Sequence, residues 1–130
     1  MNDDEKEFIK QWLYKANEDL MAASELMKSE LPVTGAICFH CQQSVEKYLK
    51  AFLIYKGDEV EKTHHVETLM LRAIEFDSEF NEIELNDIDQ FAVTVRYADD
   101  FFVPEVSETK MYLDIAEQIK ELVIKKINLQ

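Results

Sequence analysis

Apolar residues recur along this chain at spacings of three and four. From Asp4 to Lys28 they fall at Phe8, Trp12, Leu13, Ala16, Leu20, Ala23 and Met27, the repeat of one helical face. Asn2 and the acids Asp3, Asp4 and Glu5 stand where a side-chain cap and negative charge suit the positive end of a helix. Ser29 to Pro32 breaks the pattern, because proline constrains the residue before it and is tolerated chiefly at a helix start. A second helical segment runs from about Val33 to Lys56, and Gly57 is placed to end it in left-handed backbone. Thr63 is placed to cap a shorter helix through Val66, Leu69, Met70, Ala73 and Ile74. Asp77 to Glu82 reads as a polar loop. A fourth helix is expected over about Glu84 to Phe101, with Leu85, Ile88, Ala92 and Val95 on one side, and Pro104 stops it. Ser107 is placed to cap a fifth, whose Met111, Ile115, Leu122 and Val123 share one face.

These segments predict an all-α fold, an up-and-down bundle of four long helices plus one shorter helix. Only two glycines and two prolines occur in 130 residues, too little turn punctuation for many short strands. Apolar residues make up 47%, enough for a packed interior, and the length suits a single domain over residues 1–130. No repeat or flexible linker divides it.

Charge narrows the choice of partner. A net charge of −13 repels polyanions, so bulk binding of DNA or long RNA is not expected, although a local cationic pocket is compatible with it. The sequence has neither an 18-residue apolar run nor a basic start followed by an apolar stretch, so no membrane span or cleaved leader is expected, and the chain reads as a cytoplasmic protein. Two cysteines do not make a disulfide framework.

Chemistry concentrates in the second segment, in Ile37 to Ala51. At about 100° per residue, Cys38, Cys41, Val45, Leu49 and Phe52 fall in one arc, a core face. His40, Gln43, Lys47 and Lys50 form a second stripe nearly opposite. The rest of that helix is largely apolar, as a central element would be, so the stripe is expected to face a cleft or a partner subunit. Its side chains suit phosphate or carboxylate; equally, Lys47 and Lys50 can be solvated or pair with Glu46 and other acids. A zinc site from Cys38 and Cys41 would need two of His40, His64 and His65. Adjacent His64 and His65 lack the usual spacing and no second CxxC exists, so core packing of both thiols is preferred over metal or redox chemistry.

The ordered set Trp12, Ala16, Asp19 and Leu20, then Cys38-Phe39-His40-Cys41-Gln42-Gln43-Ser44-Val45-Glu46-Lys47-Tyr48-Leu49-Lys50-Ala51, then Thr63-His64 and Arg96-Tyr97, resembles the HEPN family of small helical nucleotide-binding domains. The likeness spans nearly the whole chain, with Cys41 and Ser44 as departures inside the central motif. It implies a dimer, frequent pairing with a small nucleotidyltransferase, and a cleft lined by His40, Gln43, Lys47, Lys50, His64 and Arg96. Many members of the wider superfamily are ribonucleases that use an arginine followed four to six residues later by histidine, a pair suited to acid-base work on phosphate. Here Arg72 and Arg96 both follow all three histidines, so that motif is absent.

The expected function is a non-catalytic module that binds a nucleotide or other anionic small molecule as a homodimer, beside a nucleotidyltransferase in a toxin-antitoxin-like or substrate-binding pair. No cofactor and no metal are expected. Two alternatives stay open. One is a variant ribonuclease built from His64 and Arg96. The other is a structural interaction protein using the flanks of the second helix with Tyr97, Phe101 and Phe102. For Arg96 a helical pair with Asp99 or Asp100 is an equal reading.

Overall fold

The computed structural model describes residues 1–60, 65–92 and 103–130. Among the described residues it is an all-helical bundle of four α-helices with short 3-10 turns and no strand. The first helix, α1, spans Asp3–Met27. Asn2 caps it, its Oδ1 accepting the Glu5 N–H at 2.8 Å, and three acids fill the first turn. Its buried face is Ile9, Ala16, Leu20 and Ala23. Phe8, expected in that face, is 49% exposed and meets Trp12 edge-on at 6.2 Å. One residue is 100° of rotation, and the core lies toward Ile9 rather than Phe8.

Helix α2 spans Thr34–Tyr55. It ends where Gly57 takes a φ of 80°. The Gly57 N–H donates to Ile54 O and the Asp58 N–H to Leu53 O, both at 2.9 Å, which satisfies carbonyls the helix leaves open. Helices α1, α3 and α4 all pack on α2. With 14 of its 22 residues buried, α2 is the axis of the bundle, and its polar side chains must find partners inside the protein.

Helix α3 spans Val66–Phe76, and His65 at its N-cap makes no side-chain cap. Thr63, the expected cap, lies outside the described residues. Among the described residues, the helix start is met from a distance. Asp89 Oδ1 accepts the Val66 N–H at 2.8 Å and Asp89 Oδ2 the Glu67 N–H at 3.1 Å, which places a carboxylate on the positive end of the helix.

Two expectations for the following segment are corrected. The polar run Asp77 to Glu82 contains a 3-10 turn, Ser78–Glu82, whose Phe80 is fully buried against Phe52, ring centroids 4.6 Å apart. No helix begins at Glu84, because Asn86 and Asp87 hold φ of 51° and 59°, outside the helical range. A 3-10 turn over Ile88–Phe91 follows. Tyr112 pins this stretch: its hydroxyl donates to Asn86 O at 2.5 Å and accepts from Gln90 Nε2 at 3.0 Å. Leu85 and Ile88 are nonetheless buried, as the apolar pattern requires. The remainder of the expected fourth helix, including Val95, lies outside the described residues.

Helix α4 spans Val106–Lys126 and starts two residues earlier than a Ser107 cap would place it. Glu105 holds the N-cap position, with its N–H donated to Glu108 Oε1 at 3.4 Å and its carbonyl accepting from Thr109 Oγ1 at 2.8 Å. Tyr112, Ile115, Ala116, Ile119, Leu122 and Val123 form the buried face, and Met111 turns outward beside Tyr112. Side chains from all four helices join in one core cluster.

Ion pairs fasten the connections. Lys126 Nζ lies 2.9 Å from Asp77 and 2.8 Å from Glu79, and Lys125 lies 3.3 Å from Glu79. Arg72 grips Asp58 with two nitrogens, its Nε at 2.7 Å. The hydrogen bond from Arg72 holds the Asp58 carboxyl below its ordinary pKa, and that from Lys126 does the same for Asp77 and Glu79.

These carboxylates bind protons less readily folded than unfolded, so their stabilisation is present above the ordinary carboxylate pKa and is lost as pH falls through the depressed values. Thermal unfolding is expected to show a melting temperature that drops below about pH 4. Lys126→Gln should lower the neutral-pH value and flatten that drop; an unchanged acid limb would contradict the assignment. Asp89→Ala is expected to cost about 1–2 kcal/mol in urea unfolding, the range for a lost helix cap.

Candidate functional site

The two faces of α2 separate in space as they do on a helical projection. Cys38, Cys41, Val45, Leu49 and Phe52 are fully buried. The Cys38 thiol points at Thr109 Oγ1, 3.6 Å away, and burial raises the pKa of both thiols. Among the described residues no group of three or more His, Cys, Asp or Glu side chains is placed to hold a metal. The cysteines serve as small core residues, the role their positions in the arc imply.

The opposite stripe meets α1. His40 Nδ1 lies 2.8 Å from Asp19 Oδ1, and Lys47 Nζ lies 2.5 Å from Asp19 Oδ2. One carboxylate therefore receives two donors from residues seven apart on α2. Because a carboxylate only accepts, the neutral His40 ring carries its proton on Nδ1, which leaves Nε2 as the acceptor. The Asp19 side chain is 12% exposed, while those of His40 and Lys47 keep 31% and 22%. The seam is thus sheltered at the acid and open at the two bases. His40 is held in turn by the ring of Phe39, edge-on at 5.6 Å.

Gln43 sits between these two on the helix, one turn from each, and donates from Nε2 to Gln42 Oε1 at 2.7 Å. Gln42 is fully buried and donates to Asp89 Oδ1 at 3.4 Å, which links the stripe to the cap of α3. Lys50 is placed differently. It is buried, its Nζ lies 3.2 Å from Glu46 and 5.3 Å from the centroid of the Trp12 ring. It is the buried end of the stripe, where the charge is met by an acid and an aromatic face. The pairing of Lys50 with Glu46, one of the two arrangements open from sequence, is the one found.

Two further backbone and side-chain contacts hold α1 against α2. Ser44 Oγ donates to Ala16 O at 2.9 Å, and Tyr48 OH lies 3.4 Å from Asn17 Oδ1. Burial pushes the Tyr48 hydroxyl up to about 12, so it stays protonated and able to donate. Lys120 on α4 reaches the same Asn17 oxygen at 2.9 Å.

The structure thus brings His40, Gln43 and Lys47 together and buries Lys50 against Glu46 and Trp12. His64 and Arg96 lie outside the described residues. Sequence reasoning assigned no role to Asp19 or Asp89, although Asp19 stands inside the early motif, seven residues after Trp12 and on the same flank of α1. That spacing was the available signal. What the arrangement offers chemically is a pair of cationic or hydrogen-bonding donors already converged on two oxygens of an anionic group, with an amide beside them.

A family model described as the HEPN domain matches residues 9–127, nearly the whole chain. No curated protein and no solved structure matches it.

Both thiols are expected to resist iodoacetamide in the native protein at neutral pH and to react in denaturing urea, because burial disfavours the thiolate that the reaction needs. Mass spectrometry after each treatment reads this directly. Rapid labelling of Cys41 without unfolding would place it outside the core.

Proposed function

The chain belongs to the HEPN family, and on that footing we propose that it is a non-catalytic binding module which holds a nucleotide or other anionic small molecule at the His40, Gln43 and Lys47 face of α2. The observation that carries the reading is the convergence of His40 Nδ1 and Lys47 Nζ on the two oxygens of one carboxylate, at 2.8 and 2.5 Å. Donors fixed on one helix and converged on two oxygens suit a phosphate or carboxylate ligand, and a partly sheltered seam strengthens such contacts. Lys50 supports the site from behind through Glu46 and Trp12. His64 and Arg96 complete the proposed ligand set.

The absence of catalysis in this reading rests on order. Both arginines follow all three histidines, and Arg72 is engaged by Asp58. A net charge of −13 favours a small ligand captured locally over a long nucleic acid held by its backbone. The reading includes a homodimer working beside a nucleotidyltransferase subunit. Tyr14 and Met21, seven residues apart on the outer face of α1 and 68% and 59% exposed, favour contact with another protein.

Isothermal titration with ATP, GTP and UTP tests the site. The wild type is expected to bind at least one of them, and Lys47→Ala to weaken that binding by about tenfold or more, about 1.4 kcal/mol. Equal binding by both proteins, or none by either, would remove the proposal.

A further inference from the structure

We infer that Asp19 is an internal occupant of the anion site, a carboxylate that must leave His40 and Lys47 before a ligand anion can take its place. The inference rests on the binding role proposed for that face and concerns how it is controlled. Both donors are committed to Asp19: each of its oxygens holds one of them, at 2.8 and 2.5 Å. Asp19 is carried on α1 and the donors on α2, so the contact is made across a helix seam and not within one helix. The acid is the more sheltered partner, at 12% exposure against 31% for His40 and 22% for Lys47. A ligand therefore approaches over the two bases and meets a carboxylate already seated between them.

Charge accounting gives the consequence. His40 and Lys47 contribute at most two positive charges, Asp19 removes one, and behind them Lys50 is balanced by Glu46. A dianionic phosphate arriving beside Asp19 meets repulsion from a like charge at contact distance, which the effective dielectric of a protein surface only partly screens. Release of Asp19 relieves it, since the freed donors then serve the ligand alone. The affinity observed for the native protein is accordingly reduced by the stability of the Asp19 contact, as for any site whose competent state is a minor one. Whatever loosens α1 from α2 at this level, a partner protein seated on α1 included, raises the affinity of the site.

Asp19→Asn tests this, because it removes the charge and keeps the size and one acceptor oxygen. Titration with ATP and, separately, with inorganic pyrophosphate is expected to show at least about tenfold tighter binding by Asp19→Asn than by wild type, from loss of the like charge. The gain should disappear in Asp19→Asn/Lys47→Ala. Near-ultraviolet circular dichroism establishes that each variant is folded. In the wild type, carbon-13 NMR of the Asp19 carboxyl should show a shift on saturation with ATP, a readout that needs no variant. If the wild type binds in a Lys47-dependent way while Asp19→Asn binds no tighter and the carboxyl resonance does not move, the internal-occupant inference falls and the binding role stands. If no form binds either probe, the binding role falls and this inference with it.

Discussion

A helix enclosed on three sides by other helices can turn few of its polar side chains fully to water, and each buried group that stays unanswered costs free energy on the order of 1–3 kcal/mol. α2 is in that position, and the rest of the structure can be followed from it. Ser44 is answered by the carbonyl of Ala16, Gln42 by Asp89, Lys50 by Glu46, and His40 with Lys47 by Asp19. Each answer fixes a neighbour. Ser44 and Lys47 set the register of α1, Gln42 sets the place of the 3-10 turn after α3, and Cys38 with Thr109 ties in the first turn of α4. Apolar burial supplies the driving force, and these polar contacts select one arrangement among the many that would bury the same area.

The same constraint explains what the sequence made legible. Periodicity located α1, α2 and α4 and gave the core arc of α2 residue by residue, because a 3.6-residue repeat over twenty or more residues leaves little freedom. It failed where single residues decide. Phe8 and Ile9 are equally apolar neighbours, and only the direction of the partner helix chooses between them. Phe80 hides in a run of acids and polar residues, where pattern has no signal. Asn86 and Asp87 interrupt an apolar face that continues through them, so Leu85 and Ile88 are buried without being helical. The stripe on α2 could be drawn from sequence, yet its partners could not. Asp19 and Asp89 act across 21 and 23 residues of chain on His40 and Val66, respectively, and no local rule pairs helices at that range.

For function, the arrangement shifts attention from the number of cations to their commitments. Of 14 basic residues against 27 acidic ones, Lys47 and Lys50 on the candidate face are engaged by acids of the same chain. In the proposed reading such a surface would not gather anions by its field but would discriminate by geometry, taking a group able to reproduce what Asp19 already provides. In a chain this acidic, an open cluster of lysines would also be exposed to its own carboxylates, and a preset partner removes that ambiguity.

The cap on α3 has a further consequence, for the order in which the molecule assembles. An isolated helix of 11 residues is marginal in water, since nucleation is costly and few bonds follow it. Here the carboxylate that would help nucleate it belongs to Asp89, beyond the helix and beyond Phe80, and Asp89 is itself positioned by Gln42 of α2. Closing that loop costs chain entropy that must be met before the cap contributes anything. The long helices carry their own local signals and can form early. The start of α3 is thus one that the assembled bundle helps to satisfy, through Asp89.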